Sequence, residues 1–357
     1  MPSAPTVLGY LRDQPEVLLR AAAPLDAADA LAVLGTRAGS RTGTPTGTRV
    51  LLVGSGSSAT AARAVLGAAA ALGLDADVRV PLDVLHERPL TSGTVDVLVA
   101  VSQSGRSRRV RDVLARARAL GVATVLVTGD RVRGQGVADL VVDVRVGPEL
   151  VGATTKGWTA TVTTLHQVVA ALAGAPRPAG LDGAVAAVAR ALDHEGAVRD
   201  WARRLPDPRS GVLLAADCAL LAAAAEGALK VQEIARVGAQ AWDVEELVHG
   251  PHRRVAPGTP VVLLDSGLGD VPPALPRWLR SAGAHLLHLR TGPDDPRDPG
   301  PGPAPLSVGP VPPSLAAVPA VVPLQLAAIA VADVLGLAPE EPLHADLDLI
   351  LDRKDCP

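Results

Sequence analysis

Three charged side chains in the stretch 225–251 (A-E-G-A-L-K-V-Q-E-I-A-R-V-G-A-Q-A-W-D-V-E-E-L-V-H-G-P) have the types and spacing of a reactive group. Glu226, Lys230 and Glu233 fall at i, i+4 and i+7, which on a helix stacks them on one face with two carboxylates flanking an ammonium. An ammonium so flanked stays charged, which gives Lys230 an electrostatic role over a nucleophilic one. The helical pattern fades at Gly238, and the segment 245–251 then ends in His249, between a short apolar run and a Gly-Pro stop. A carboxylate and an imidazole on adjoining segments form a pair able to move protons near neutral pH. A solvated ion-pair stripe on a surface helix has the same Glu-Lys-Glu pattern, so the spacing leaves both readings open.

The elements that must position these groups follow a βα rhythm. Apolar runs at 49–54, 96–101, 123–128, 139–146, 211–215, 260–265 and 285–289 read as buried parallel strands, alternating with helical patterns. Two of these runs open into serine-rich turns before a helix. The run R-V-L-L-V-G leads into S-G-S-S with Ser57 and Ser58, and D-V-L-V-A-V leads into S-Q-S-G-R-S ahead of a helix that begins near Arg108. Such a turn brings hydroxyls and the free N–H groups of a helix start together as an anion site, although a serine there can equally be a plain N-cap. Two such loops on one parallel sheet meet at its carboxyl edge, where doubly wound folds bind ligands.

At 357 residues the chain is long enough for two domains, and with 48% hydrophobic residues but no Phe its core must be built from Ala, Val and Leu. A net charge of -3 provides no basic field for nucleic acid. Cys218 and Cys356 have no paired spacing, so no zinc-type cluster, metal or cofactor is expected, and a reducing cytoplasm fits. The run 315–337 comes closest to a membrane span, but Pro319, Pro323 and Asp333 point to a buried helix. The expected organisation is a leader helix over 1–30, interrupted at Gln14-Pro15, a first domain over 31–175, a Pro/Gly-rich linker within 176–195 and a second domain over 196–357. A loop rich in Pro and Gly is expected between about 291 and 313.

E-G-A-L-K-x-x-E-I followed by E-L-x-H-G-P closely resembles the second half of the sugar isomerase (SIS) family, in particular the isomerase half of the glutamine:fructose-6-phosphate aminotransferases. The resemblance implies an α/β fold of two flavodoxin-like, doubly wound parallel-sheet SIS domains in tandem. It implies that the S-x-S-G-x-S loop, here Ser102, Gln103, Ser104 and Ser107, holds the phosphate of a sugar phosphate. The segment G-P-E-L-V-G-A-T-T-K is similar to the family's G-x-E-x-x-V-A-S-T-K, which gives Ala153, Thr154 and Thr155 a sugar contact, while Lys156 is expected to pair with a carboxylate. Glu233 takes the place of the family's general base and His249 that of its ring-opening histidine, with Glu226 and Lys230 tuning the pair. In the relatives that histidine reaches a neighbouring subunit's site, so a homodimer with shared sites is implied.

Three departures stand out. Arg106 occupies a position where the aminotransferase relatives usually have Glu. The relatives carry a glutaminase domain with a cysteine after the initiator Met, whereas Pro2 follows Met1 here, so no glutamine hydrolysis is expected. Leu347 falls where the tail of the relatives has a Schiff-base lysine, and Lys354, seven residues on, reads as an ordinary tail lysine. The implied function is isomerase-type proton transfer at C1/C2 of a phosphorylated sugar. A deglycase acting on a phosphorylated sugar-amine conjugate and a non-catalytic sugar-phosphate sensor are the alternatives.

Overall fold

The structure is a computed structural model that describes residues 5–39, 47–292, 302–341 and 344. The leader forms two helices, α1 (Val7–Arg12) and α2 (Gln14–Ala22), broken at Asp13 ahead of Pro15. Two five-stranded sheets follow, and every strand pairing in them is parallel. The first comprises β1 (Arg49–Val53), β2 (Asp75–Arg79), β3 (Val97–Val101), β4 (Ala123–Thr128) and β5 (Leu140–Asp143), in the order β2-β1-β3-β4-β5. The second comprises β6 (Val212–Ala216), β7 (Ala239–Asp243), β8 (Pro260–Asp265), β9 (His285–Arg290) and β10 (Leu306–Ser307), in the order β10-β9-β8-β6-β7. Read from its β7 edge, the second sheet repeats the order of the first. Each is the flavodoxin-like arrangement, in which the chain reverses direction across the sheet beside its first strand and leaves a crevice at the strands' carboxyl ends.

Among the described residues, the chain divides into two compact units, each built on one sheet. One contains Val17–Pro148 and Gly157–Ala179, and the other contains Met1–Glu16, Glu149–Lys156 and Gly180–Glu341. In the first unit, α3 (Ser57–Arg63) follows β1, and α4 (Arg108–Ala119) follows β3. The face of α4 bearing Val110, Val113, Leu114 and Ala117 is buried against Leu51, Leu98 and Leu126 of the sheet. Helix α5 (Lys156–Leu172) starts at the end of the 149–156 segment.

The 176–195 stretch, expected as a linker, instead carries α6 (Leu181–Leu192), a helix of the second-sheet unit. Its apolar side chains recur at Leu181, Ala184, Val185, Val188 and Ala191, and the helix begins inside the Pro/Gly-dense residues rather than after them. Helices α7 (Leu221–Lys230), α8 (Val244–Val248) and α9 (Ala274–Ser281) follow, and α10 (Ala317–Val334) closes the unit. Helix α10 is long and apolar enough to cross a membrane by length and composition, yet 89% of its apolar window is buried inside the protein, against α6 and α7 among others. The Leu347 and Lys354 positions lie outside the described residues, as does the 293–301 part of the expected Pro/Gly-rich loop between about 291 and 313.

Candidate active site

The serine loops sit at the carboxyl ends of β1 and β3, on either side of the first sheet's switch point. After β1 the chain turns through Gly54, where a Cβ would lie 2.9 Å from the backbone carbon of Ser58, so only glycine lets the helix start fold back this closely. The residue before α3 is Gly56, with no side-chain cap. Ser57 and Ser58 are the first helical residues, which removes the plain N-cap reading for both.

The loop after β3 is tied down through its backbone. Ser102 N donates to Val127 O at 3.0 Å, Gly105 N to Ser102 O at 3.0 Å, and Gly129 N to Gln103 O at 2.9 Å. Thr161 Oγ1 donates to Gln103 Oε1 at 3.4 Å, and Arg106 N to Ser104 Oγ at 3.3 Å. Ser107 is the N-cap of α4, but its hydroxyl makes no cap bond. Ser102 is 5% exposed, and its hydroxyl has no hydrogen-bond partner among the described residues. Hydroxyls that caps or neighbours do not consume are what an anion-binding loop requires.

In the other unit, α7 ends at Lys230 and the chain continues as a π-helical turn, Val231–Ala235, before Arg236 closes it at φ 56°. The expected face survives this change of pitch. The Lys230 ammonium lies 3.2 Å from Glu226 Oε1 and also hydrogen-bonds Glu233 Oε2. The side chains of Lys230 and Glu226 are 0% exposed, whereas that of Glu233 is 39% exposed. Burial by itself would lower the ammonium's pKa, but Glu226 and Glu233 outweigh it and hold Lys230 above its ordinary value. The solvated ion-pair stripe is thereby overturned: two members of the row are inside the protein, and the third is open to solvent.

The 149–156 segment is organised by Glu149. Its Oε1 accepts hydrogen bonds from Thr155 N at 2.7 Å, Thr155 Oγ1 at 3.0 Å and Lys156 N at 3.1 Å, and its Oε2 accepts from Thr154 Oγ1 at 2.6 Å. Ala153, Thr154 and Thr155 are therefore held in one conformation by a carboxylate at the start of α5, where the helix dipole favours it. A second constraint comes from two buried amides. Gln14 Nε2 donates to Gln325 Oε1 at 2.7 Å, and Gln325 Nε2 donates to the Thr155 carbonyl at 3.2 Å. Sequence reasoning assigned no role to these three residues. The available signals were the Glu of the G-x-E segment and a lone Gln inside the apolar run of α10. Lys156 pairs with Asp13 at 3.3 Å and lies over the Tyr10 ring, the structural role expected of it.

His249 ends α8 with its side chain 66% exposed, and its ring Nε2 lies 3.2 Å from Glu245 Oε1 on the same helix. At the carboxyl edge of the second sheet the serine turns are replaced by acids. Asp217, after β6, accepts the Ser266 N–H at 2.6 Å, and Asp265, ending β8, accepts the Gly267 N–H at 2.8 Å. These carboxylates occupy the backbone donors that a bound anion would need. Burial raises the pKa of Asp217, and its hydrogen bonds from Ser266 offset part of that rise.

The fold and these loops define a tandem pair of SIS-type α/β domains. No protein-family model matches the chain. It is 34% identical over 184 residues to the isomerizing glutamine–fructose-6-phosphate aminotransferase of Pyrobaculum aerophilum, covering 48% of this chain and 30% of that protein. Against the same-named protein of Caulobacter vibrioides it is 30% identical, covering 54% of this chain and 33% of that one. The chain thus spans about a third of the length of the curated relatives it matches. Its fold superposes with a TM-score of 0.79 on the C-terminal domain of glucosamine-fructose-6-phosphate aminotransferase from Francisella tularensis, at 19% identity over 96% of this chain and 99% of that one. The chain is a homologue of the isomerase half of these aminotransferases.

Proposed function

We propose that the chain binds a sugar phosphate and moves a proton between C1 and C2 of the sugar, as an aldose–ketose isomerase or an amino-sugar deaminase does, without transferring an amide nitrogen from glutamine. The phosphate is held by Ser57, Ser58, Ser102, Gln103, Ser104 and Ser107, and Ala153, Thr154 and Thr155 contact the sugar. Glu233 removes the proton from one carbon, the electrons pass into an enediol or enamine, and the same carboxyl returns the proton to the neighbouring carbon. His249 opens the sugar ring. By the family resemblance it acts from a second copy of the chain, in a cytoplasmic homodimer.

The observation that carries this reading is the burial of Lys230 and Glu226 behind an accessible Glu233. Taking two charges out of water costs several kcal/mol per ion before pairing offsets it, and a row serving only solubility has no reason to bear that cost. What the arrangement does is fix one carboxylate, open to a ligand, against an ammonium that cannot leave.

The test is proton NMR in deuterated water with fructose 6-phosphate, glucose 6-phosphate and glucosamine 6-phosphate. Solvent exchange at C1 or C2 is expected with at least one of them, reduced by about 10²-fold or more in Glu233→Gln. Binding shifts without exchange refute the proton-transfer reading and favour a deglycase or a sensor.

A further inference from the structure

The helix that begins at the main serine loop has an unusual charge arrangement. Helix α4 is 12 residues long and opens R-R-V-R, with no acidic residue in its first turn, and Arg106 stands two residues ahead of it. The amino end of a helix is its positive end, so cations crowded there repel it unless negative charge sits among them.

Three of these arginines, Arg108 among them, have partners within the protein. Arg109 pairs with Asp112 at 3.3 Å, and Arg111 Nε donates to Gly105 O at 3.0 Å. Arg106 has none. Its Nε is buried and has no hydrogen-bond partner, and the side chain makes no other hydrogen bond or ion pair among the described residues. Beside it in the loop lie the unpartnered hydroxyl of Ser102, whose residue is 5% exposed, and the Ser107 hydroxyl that makes no cap. A buried guanidinium N–H without an acceptor is costly, and a planar guanidinium is built to take the two oxygens of a carboxylate or phosphate at once.

We infer that Arg106 reads a second anionic group, so that the substrate class is a phosphorylated sugar bearing a further carboxylate or phosphate. This rests on the phosphate-binding reading above. The serine hydroxyls and the helix start are sufficient for one phosphate, and the unpartnered guanidinium is the group left over for a second anion.

Isothermal titration calorimetry of the full chain at one fixed salt concentration tests this with three probes. Fructose 6-phosphate carries one anionic group, fructose 1,6-bisphosphate adds a phosphate, and 6-phosphogluconate adds a carboxylate. At least one of the latter two is expected to bind about tenfold or more tighter than fructose 6-phosphate, and which one does so identifies the second group. In Arg106→Gln that advantage falls to within about threefold while fructose 6-phosphate affinity is nearly retained. In Arg109→Gln, which removes an equal charge already paired to Asp112, the advantage persists. Equal binding of all three probes by the wild type, or an advantage that survives Arg106→Gln, overturns the inference and leaves the phosphate reading standing. Binding of none of the three defeats the phosphate reading and this inference with it.

Discussion

Replacing Lys230 with Met keeps an unbranched apolar side chain one atom shorter and removes its charge, leaving Glu226 buried with its neighbouring cation gone. With Nζ and Oε1 3.2 Å apart, the lost attraction is about 5 kcal/mol at an effective dielectric of about 20. The protein has a cheaper escape, because the buried acid can take up a proton. From an ordinary carboxyl value near 4.3 that costs about 1.4 kcal/mol per pH unit, or about 4 kcal/mol at pH 7 and about 1 kcal/mol at pH 5. The smaller of the two costs governs, so Lys230→Met is expected to lose about 4 kcal/mol at pH 7 and to recover most of it on acidification. The sign follows from proton counting: above pH ~4.3 the folded variant binds one more proton than its unfolded chain, so its stability falls as pH rises. The wild type lacks this slope. Its Lys230 has a folded pKa above the ordinary 10.5, so the stabilisation is fully present below that value and is lost only as pH rises through the folded pKa. Urea denaturation of both proteins between pH 5 and 8 measures the difference, and a Lys230→Met/Glu226→Gln double variant should remove the slope. A deficit under about 1 kcal/mol at pH 7, or one that does not change with pH, would mean that the pair is solvated and would refute the argument for the site.

Two further outcomes concern the packing around that site and the acid limit of the fold. A Cβ at Gly227 would lie 2.6 Å from Leu324 Cδ1 and 2.8 Å from Leu324 Cβ, so Gly227→Ala should wedge α7 away from α10 and cost about 1–3 kcal/mol by urea denaturation; an unchanged midpoint would show that the contact yields freely. Burial holds His166 and His288 each at about 4, with Arg280 and Arg290 adding to the effect at His288. From about pH 6.5 down to 4 the unfolded chain therefore binds more protons than the folded one, and stability should fall with decreasing pH by up to about 2.7 kcal/mol per unit. His166→Leu should flatten that slope by about half, and an unaltered slope would rule out a buried neutral ring at position 166.

The interior strands were legible in the sequence because a strand covered on both faces must be apolar throughout. β1, β3, β4, β6 and β8 are such runs, and they lie where the apolar segments place them. The strands that escaped notice, β2, β7 and β10, are all at sheet edges. D-A-D-V-R and A-Q-A-W-D carry polar side chains because an edge strand is only partly covered, and a two-residue strand such as Leu306–Ser307 has no period to detect. The helical pattern of α6 was legible after the Pro/Gly-dense residues, but those residues hid its start at Leu181. The Glu-Lys-Glu face was legible as a spacing, whereas its burial was not. The string E-G-A-L-K-x-x-E is the same whether water or α10 lies against it, and only packing decides between a surface stripe and a fixed carboxylate.

The repeated sheet order gives the chain two crevices of one topology, and the residues at the strand ends determine what each can hold. Where β1 and β3 end, small hydroxyl residues leave donors open: Ser102 and Ser107 have hydroxyls without partners, and the turn at Gly56 leaves α3 without a side-chain cap. Where β6 and β8 end, Asp217 and Asp265 turn their own carboxylates onto the N–H groups of Ser266 and Gly267. An anion entering the second crevice would have to displace a covalently tethered carboxylate from each donor and would meet its negative charge at close range. Duplication therefore does not imply two phosphate sites in this chain. The unit built on the first sheet has open serine hydroxyls at its strand ends, and the unit built on the second carries the buried ammonium with its accessible carboxylate, a difference that follows from the side chains and not from the fold the two units share.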